Sequence, residues 1–412
     1  MKNEIDALMK ENQLDGILVN GAGDHNPFMV YLTGGGHITS ADLIKIAGKP
    51  AVLFHNAMER DEAAKSGLET HSFSQYPYEE LMKAVNGNLE AFYALRYSRM
   101  LTDLGLTAGR VALYGRAELG FGYGVFASLH RLLPELEFVG LQKKDVLLTA
   151  MMTKSDDEID RIRRMGKVTT GVIGKVAEFL SSQKARSGIL TGKDGLPITI
   201  GQVKQQINLW LAESGAENPE GTIFSLGYDS AVPHSSGNPS ETLRLGETII
   251  FDIFPCEMGG GYYYDCTRTW CLGYAPEKVL QLYEDVSYVY RQITDELQVN
   301  SSFKHYQART CELFEERGHP TVKTKPETEM GYVHSLGHGV GLQIHEKPFS
   351  GLSAGEDEIL APGAIFTLEP GLYYPGEKMG VRLEDTLVAT TEGRFEILAP
   401  FPQDLVIPVK SV

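Results

Sequence analysis

Two long stretches in the second half of the chain, each with strand-like residues on both sides of a turn, most constrain how this sequence can fold. The first is ETIIFDIFPCEMGGGYYYDCTRTWCLG and the second is GAIFTLEPGLYYPGEKMGVRLEDTLVA. Alternating β-branched and aromatic residues favour strands, and the proline and glycines between them favour turns. Both stretches are therefore predicted to form antiparallel hairpins.

The first predicted hairpin brings two aspartates face to face. A turn centred between Met258 and Gly259 would pair Asp252 directly with Asp265. Directly opposed residues of such a pair have Cβ atoms about 5 Å apart. Two carboxylates at that separation repel each other unless a cation lies between them.

The second predicted hairpin repeats the arrangement, because a turn centred near Glu377 sets Glu369 against Glu384. A lone acidic residue is more often a solvated surface group. That interpretation weakens for Asp252, which lies inside an apolar strand, and for Glu369, which ends one. Four carboxylates would balance two divalent ions, and such a pair of ions can lower the pKa of a shared water and aim it at a carbonyl carbon.

A third stretch, HSLGHGVGLQIHEKP at residues 334–348, holds three of the eleven histidines. It lacks the second histidine of a zincin motif, and Pro348 would break the helix that this motif requires. The glycines around His338 make a helix improbable, so we expect an extended segment that passes close to a ligand-filled centre. An imidazole beside carboxylates shifts the preference toward manganese, iron, cobalt or zinc.

These motifs resemble the metal site of the pita-bread metallopeptidases, the family of methionine aminopeptidase, aminopeptidase P, prolidase and the non-peptidase creatinase. The five implied metal ligands occur in the family's order and context: Asp252, Asp265, His338, Glu369 and Glu384. The segment YLTGG at residues 31–35 resembles the N-terminal domain of the creatinase, prolidase and aminopeptidase P branch.

The resemblance implies a role for each ligand. Asp252 would chelate one metal, and His338 with Glu369 would hold the other. Asp265 and Glu384 would bridge both ions.

The resemblance also implies catalytic roles around the metals. His234 would line the substrate site, His334 would contact the residue after the scissile bond, and His345 would face the scissile carbonyl or amide. Arg382 lies two residues before Glu384 and would orient that glutamate or a substrate carboxylate. Glu369 would relay a proton to the leaving nitrogen.

Thr267 follows Asp265 by two residues and has two open interpretations. It could donate a hydrogen bond to a ligand carboxylate. Equally, it could be no more than a strand-forming residue.

The order of predicted elements indicates two domains, and a chain of 412 residues is long enough to form both. Residues 1–150 alternate strand-like and helical stretches, which is typical of an α/β domain, and we expect it to be creatinase-like. A capping box formed by Ser155 and Glu158 then begins a long amphipathic helix. Residues 151–412 are expected to form an α+β pita-bread catalytic domain with a curved antiparallel sheet, and further helices near 197–214, 276–297 and 302–317.

Charge and composition exclude several other classes of protein. A formal charge of −16 disfavours nucleic acid and anionic membranes as partners. No apolar stretch approaches the roughly 20 residues that span a bilayer, and the N-terminus is predicted to form a charged amphipathic helix rather than a signal peptide. We therefore expect a cytoplasmic protein, and its four cysteines are predicted to be reduced, mostly buried thiols.

The resemblance implies hydrolysis of a peptide bond near a free amino terminus, with proline after the scissile bond. It implies two divalent ions, Mn²⁺ first with Co²⁺, Zn²⁺ or Fe²⁺ as alternatives, a small peptide substrate and a homodimer. The residues alone do not decide between an Xaa-Pro aminopeptidase and an Xaa-Pro dipeptidase. Two other classes stay open: a lyase or amidinohydrolase acting on a small zwitterion, and a non-catalytic binding scaffold.

Two departures from the family pattern are visible in the sequence. Members often have glycine two positions after the first aspartate, where this chain has Phe254 followed by Pro255, and the loop before Asp265 is longer here. This loop is expected to affect an access channel or a subunit contact rather than the metals. His25 and His37 have no motif around them and receive no role.

Overall fold

The computed structural model describes residues 4–140 and 145–411, so the first three residues of the predicted N-terminal helix lie outside the described residues. The chain divides into two compact units. The first comprises Met1–Met151 with Gly259–Gly261, and the second comprises Met152–Met258 with Tyr262–Val412. Among the described residues, no helix is both long and apolar enough to cross a bilayer.

The first unit is built on one mixed sheet of six strands in the order β4-β3-β2-β1-β5-β6. Its strands are β1 (Gly16–Gly21), β2 (Ala41–Ile46), β3 (Ala51–His55), β4 (Glu69–Ser72), β5 (Gly109–Gly115) and β6 (Leu136–Val139). Its helices are α1 (Glu4–Glu11), α2 (Pro27–Thr33), α3 (Arg60–Ala64), α4 (Tyr78–Ala84), α5 (Leu89–Asp103), α6 (Leu119–Leu132) and α7 (Val146–Met151).

The alternating side chains of β1 show which helices cover each face of the sheet in this unit. Ile17 and Val19 join a core cluster with residues of α1, α2 and α7, whereas Leu18 joins a second cluster with residues of α4, α5 and α6. Successive side chains of a strand point to opposite faces, so both faces of the sheet are covered by helices. The predicted α/β character of this region is confirmed.

The second unit contains longer helices and several small sheets. Its helices are α8 (Asp156–Ser181), α9 (Ile200–Glu213), α10 (Glu277–Glu296) and α11 (Phe303–Glu316). Its strands are β7 (Lys184–Arg186), β8 (Ile189–Thr191), β9 (Ala216–Glu217), β10 (Thr222–Leu226), β11 (Thr248–Ile253), β12 (Cys256–Glu257), β13 (Cys266–Leu272), β14 (His338–Gly339), β15 (Glu346–Phe349), β16 (Ile365–Leu368), β17 (Gly371–Tyr374), β18 (Met379–Arg382), β19 (Asp385–Ala389), β20 (Phe395–Ile397), β21 (Val406–Ile407) and β22 (Lys410–Ser411).

Helix α8 begins where the capping box predicts. The backbone N–H of Ser155 donates to Glu158 Oε2 at 2.7 Å, which satisfies a donor at the helix start. The buried face of the helix includes Ile162, Val172 and Val176. The apolar periodicity of the sequence therefore identifies the face that packs into the unit.

Two mainly antiparallel sheets carry the predicted acid pairs. One has the order β10-β11-β13-β21 and the other the order β15-β14-β16-β19-β20, with β17 and β18 forming a separate pair. Helices α10 and α11 pack against β16 to β19 in one apolar core cluster. Burial of this core fixes the strands from which the acids project.

The register of the second hairpin agrees with the prediction. Leu368 lies opposite Asp385, and Gly371 lies opposite Arg382. Each side of the hairpin is interrupted between two strands, at residues 369–370 and 383–384. Because the register is the same on both sides of this interruption, Glu369 lies against Glu384. The turn contains the short 3-10 segment Pro375–Glu377.

The predicted pairing of Asp252 with Asp265 is wrong by two residues. Asp252 lies opposite Thr267, and Asp265 precedes β13. The connection is not a tight turn, because Cys256 and Glu257 leave the hairpin and pair with β9. A shift of two residues keeps the same face of the strand, so both aspartates still point to one side.

All four cysteines (Cys256, Cys266, Cys271 and Cys311) are buried and have free thiols, as predicted. Burial raises the pKa of the Cys271 thiol to about 12, so this thiol is protonated and unreactive at neutral pH.

Candidate metal centre

The five predicted ligands come from both sheets and meet at one cavity of about 770 Å³. Asp252 lies within β11 and His338 begins β14, whereas the other three residues lie at breaks beside strands. Asp252, Asp265, His338 and Glu384 are buried and Glu369 is partly buried. The chain thus gathers four acids and one imidazole from positions up to 132 residues apart, the separation of Asp252 and Glu384 in the sequence.

Distances show how closely these groups converge. Asp265, His338 and Glu384 each present one potential ligand atom, and these atoms lie within 4.8 Å of one another. His338 Nε2 lies 3.5 Å from Glu369 Oε1 and 3.7 Å from Asp265 Oδ2. These separations leave a common point from which one cation could contact several of the groups.

His338 is held in the tautomer that a metal ligand requires. Its Nδ1 donates to the carbonyl oxygen of Gly339 at 3.1 Å, so the lone pair of Nε2 faces the carboxylates. Burial, followed by the nearby His345, lowers the pKa of His338 to about 3. The imidazole is therefore neutral and able to coordinate.

The glycines around His338 serve a different purpose from the one predicted. A Cβ on Gly339 would lie 2.0 Å from the carbonyl oxygen of Lys347, and one on Gly337 would lie 2.0 Å from that of Thr367. The close approach is to neighbouring backbone and not to the ligand-filled centre. Packing of β14 between two chain segments, which the local sequence does not reveal, is the reason.

Burial and mutual repulsion raise the pKa values of three of the carboxylates. Burial, then repulsion from Glu384 and Asp252, raises the pKa of Asp265 well above its usual range. Burial and the charge of Glu384 do the same for Glu369, and burial with Asp252 raises the pKa of Glu384 to about 8. Each group favours protonation because too many anions share one buried space.

Two carboxylate oxygens of this cluster are buried without any hydrogen-bond partner, Asp252 Oδ1 and Asp265 Oδ1. Buried polar atoms of this kind are rare unless a ligand satisfies them. Oxygen donors with a single imidazole suit manganese, iron, cobalt or zinc. The residues therefore fit the divalent ions that the sequence predicts.

Arg382 contacts a different ligand from the one expected. Its Nη2 donates to Asp252 Oδ2 at 2.6 Å, in a buried ion pair, and not to Glu384. The two-residue spacing does bring Arg382 and Glu384 to the same side, because both line the cavity and both hydrogen-bond Thr267 Oγ1. Since β18 lies against β11, the guanidinium reaches the aspartate of that strand.

Thr267 interacts with two groups of the site. Its Oγ1 donates to Glu384 Oε2 at 2.6 Å and lies 3.2 Å from Arg382 Nε, which donates to it. The prediction that Thr267 could hydrogen-bond a ligand carboxylate is confirmed. A strand-forming role alone does not explain this geometry.

The three auxiliary histidines are all found in the lining of the cavity. His234 and His345 have exposed side chains, and the ring of His345 lies 4.3 Å from that of His338. His334 is partly buried, and its Nδ1 donates to the carbonyl of Ser335 at 2.7 Å. Burial and the charge of Arg382 lower the pKa of His334 to about 3, so it is neutral.

Tyr373 is a site residue that the sequence analysis missed. Its hydroxyl lies 2.9 Å from His334 Nε2, to which it donates, and accepts from Arg382 Nη1 at 2.8 Å. A signal existed, since Tyr373 follows Glu369 by four residues and lies within a strand-like run of the second hairpin. Period-two alternation could have placed it on the same side as the acids.

Apolar residues complete the wall of the cavity beside the acids. They are Ile223, Pro233, Phe254, Ile344 and Phe349. Phe254, one of the two departures from the family pattern, therefore borders the cavity and is positioned to influence what enters it.

Comparisons with known proteins agree with this geometry. Residues 160–391 match the sequence profile of metallopeptidase family M24. A curated relative described as a probable dipeptidase PepE, from Mycobacterium bovis, is 29% identical over 265 residues, which is 64% of this chain and 63% of the relative. The alignment thus spans less than two thirds of that relative's length.

Two further comparisons span nearly the whole chain. The Xaa-Pro dipeptidase of Pyrococcus horikoshii is 25% identical over 388 residues, 93% of each protein. The crystal structure of an X-Pro aminopeptidase from Thermotoga maritima superposes with a TM-score of 0.73 at 20% identity and covers 100% of both chains. This likeness confirms the predicted fold class, an α/β N-terminal part followed by an α+β pita-bread part with antiparallel sheets.

Proposed function

Because the chain belongs to metallopeptidase family M24, we propose that it hydrolyses a peptide bond near a free amino terminus, with proline after the scissile bond. The observation that supports this most directly is the convergence of four carboxylates on the neutral imidazole of His338, with two buried oxygens left without a protein partner. The relatives described as Xaa-Pro dipeptidases support the choice of substrate.

The proposed ligands of two divalent ions are Asp252, Asp265, His338, Glu369 and Glu384. Mn²⁺ is our first choice, with Co²⁺, Zn²⁺ and Fe²⁺ as alternatives. When bound, such ions polarise a carbonyl group and lower the pKa of a water molecule.

The remaining residues position the substrate and move protons. His345 and His234 are exposed at the cavity wall and would hydrogen-bond the scissile carbonyl and the peptide. Glu369 borders the same cavity and would deliver a proton to the leaving nitrogen. The leaving nitrogen must gain a proton before the C–N bond breaks, because an unprotonated amide nitrogen would leave as a strongly basic anion.

His334 and Arg382 take more indirect parts in this proposal. Both ring nitrogens of His334 already have protein partners, so it would contact the residue after the scissile bond through its ring carbons. Arg382 would hold Asp252 in position through their ion pair. Its other nitrogens donate to Thr267 Oγ1 and to the Tyr373 hydroxyl, so the guanidinium is held in place at the cavity wall.

We propose two domains for the chain. Residues 1–150 would form the creatinase-like domain, and residues 151–412 the dinuclear metallopeptidase domain. We further propose a homodimer, which the resemblance implies, and a cytoplasmic location, which the charged N-terminus and the lack of a long apolar stretch favour.

One experiment tests both the metal site and the reaction. Protein purified in manganese is analysed for bound metal and incubated with Ala-Pro, longer Ala-Pro peptides, creatine and dimethylsulfoniopropionate. We expect about two metal ions per chain and release of the residue before proline, with activity lost after chelation and restored by metal. Conversion of only a non-peptide would favour the lyase or amidinohydrolase, and absence of metal would favour a scaffold.

A substrate-length series decides between the two peptidase types. Cleavage of Ala-Pro alone indicates a dipeptidase, and cleavage of longer peptides as well indicates an aminopeptidase. Comparing manganese, cobalt and zinc in the same series identifies the metal that supports the highest kcat/KM.

A further inference from the structure

One part of the cavity wall, away from the proposed metal ligands in the sequence, is formed by helix α9. Lys204 and Asn208 both line the cavity. They are four residues apart within Ile200–Glu213, so their side chains lie on the same face of the helix. Neither has a role in the proposed reaction.

Lys204 is a cation that lacks an anionic partner. Its Nζ donates to the carbonyl oxygen of Ser236, which also lines the cavity. Within residues 4–140 and 145–411, no carboxylate oxygen lies within 4.0 Å of this ammonium. The chain has 54 acidic and 38 basic residues, so an unpaired, partly buried lysine is unexpected.

Burial of Lys204 has an electrostatic consequence. Desolvation lowers the pKa of its ammonium below the usual range, because water no longer fully solvates the charge. One of its three N–H groups is used by Ser236, which leaves two donors. An anion bound here would restore the solvation that the ammonium has lost.

Asn208 adds a second donor beside the lysine. Asn218 Nδ2 donates to Asn208 Oδ1 at 2.8 Å and to Thr222 Oγ1 at 3.0 Å, which orients the Asn208 amide. The NH₂ group of Asn208 remains available, and Asn218 Oδ1 is buried without a partner. A carboxylate matches the ammonium of Lys204 and the amide donor of Asn208.

Glu220 is the other charged group of this part of the wall. Its side chain is exposed, and solvent therefore screens its charge. Its carboxylate is not within ion-pair distance of Lys204, so it does not neutralise the ammonium.

We propose that Lys204 and Asn208 form a carboxylate-binding subsite within the catalytic cavity. The proposal rests on the proposed peptidase function for the nature of the ligand, which is a peptide substrate. The carboxylate comes either from the C-terminus of the peptide or from an acidic side chain before the scissile bond. Because of this subsite, kcat/KM is higher for substrates that bear such a carboxylate than for their neutral counterparts.

Matched substrate pairs test the proposal on the metal-loaded protein. Ala-Pro and Ala-Pro-Gly are compared with their C-terminal amides, and Glu-Pro is compared with Gln-Pro. In Lys204→Met, we expect kcat/KM for at least one carboxylate substrate to fall about tenfold, chiefly through KM, as removal of a charged hydrogen bond at a partly buried site predicts. The pair that responds identifies the source of the carboxylate.

Two further variants separate charge recognition from structural damage. Lys204→Arg keeps the cation and should restore the preference for the carboxylate. Lys175→Met removes an exposed lysine from helix α8 and should change none of the ratios. The readout is the ratio of kcat/KM within each substrate pair, so an equal loss for both members of every pair does not count as recognition of the carboxylate.

The proposal is overturned if, for every pair, the ratio of kcat/KM for the carboxylate substrate to that for its neutral counterpart is within twofold of wild type in Lys204→Met. If the wild-type protein cleaves none of these peptides, the peptidase proposal fails while the subsite is still testable. In that case calorimetry of Glu-Pro and Ala-Pro-Gly with the metal-free protein is compared between wild type and Lys204→Met. Equal dissociation constants would then rule out the subsite as well.

Discussion

At the scale of single residues, Thr267 shows how much a small side chain contributes to the candidate metal centre. Its hydroxyl donates to Glu384 and accepts from Arg382, so one oxygen orients two groups. Thr267→Val keeps the shape and removes both bonds. We expect metal affinity or kcat/KM to fall about 10- to 100-fold, as found when partners of metal ligands are lost.

Metal titration followed by elemental analysis measures this loss. Thr267→Ser retains the hydroxyl and serves as the control, with affinity close to that of wild type. Equal metal affinity in Thr267→Val and Thr267→Ser would show that the hydroxyl does not orient Glu384.

His334 gives a prediction about acid stability. Its pKa in the folded chain is about 3, below its ordinary value of 6.5, because the ring is buried near Arg382. The unfolded chain therefore binds a proton more readily, and stability is lost as the pH falls from about 6.5 toward 3. This residue contributes a slope of about 1.4 kcal/mol per pH unit over that window.

Urea unfolding between pH 7 and pH 4 measures the slope. His334→Gln should lose stability less steeply than wild type on acidification. His305→Gln, which changes an exposed histidine on α11, should leave the slope unchanged. Identical slopes for His334→Gln and wild type would contradict the buried, neutral state of His334.

At the scale of strands and turns, β14 depends on glycine for its place between two neighbours. A Cβ on Gly339 would lie 2.0 Å from the carbonyl oxygen of Lys347, where neither backbone can easily move. Gly339→Ala should destabilise the protein by about 1–3 kcal/mol, as overpacking does. It should also weaken metal binding, because His338 is the adjacent residue.

Denaturant unfolding and metal titration measure these two effects. Gly351→Ala is a matched control, since no heavy atom lies within 4 Å of the Cβ that it would add. A stability of Gly339→Ala within about 0.5 kcal/mol of wild type would mean that the surrounding strands can separate at little cost.

The two hairpins show what local sequence can and cannot predict. The turn residues of the second hairpin predict its register, because the chain runs directly from one side of the hairpin into the other. In the first, Asp252 was set against Asp265 instead of Thr267, since the connection leaves the hairpin to pair with β9. Such a detour depends on a strand about 40 residues earlier in the sequence.

Side-chain partners that cross between elements were also beyond the sequence. The ion pair of Arg382 with Asp252 requires β18 to lie against β11, which no spacing along the chain indicates. The sequence around Lys204 gives no sign of a binding site, because it is that of an ordinary amphipathic helix. The acids and His338 were identifiable because their types and order follow a known family.

For the molecule as a whole, the cluster of buried acids is a cost to stability until cations bind. Repulsion among them raises the pKa of Asp265 and Glu369 well above the usual range. In metal-free protein at pH 8, Asp265→Asn should therefore increase the free energy of unfolding by about 1–4 kcal/mol. The same change should abolish stabilisation by manganese.

Thermal unfolding with and without manganese measures both effects. Wild-type protein should gain about 2.7 kcal/mol for each site when the metal concentration is 100 times its dissociation constant. Asp404→Asn, which changes an acid absent from the cavity lining, should respond to manganese as wild type does. A metal-free Asp265→Asn that is less stable than wild type would show that the acids are not in repulsion.

The register around Glu369 and Glu384 has a consequence for how the protein can diversify. Pairing is fixed by Leu368 with Asp385 on one side and by Gly371 with Arg382 on the other, and the turn at Pro375–Glu377 lies beyond both. Residues inserted at that turn leave the spacing of the glutamates unaltered. Natural drift or laboratory selection can therefore lengthen or shorten this turn while the facing glutamates are inherited intact.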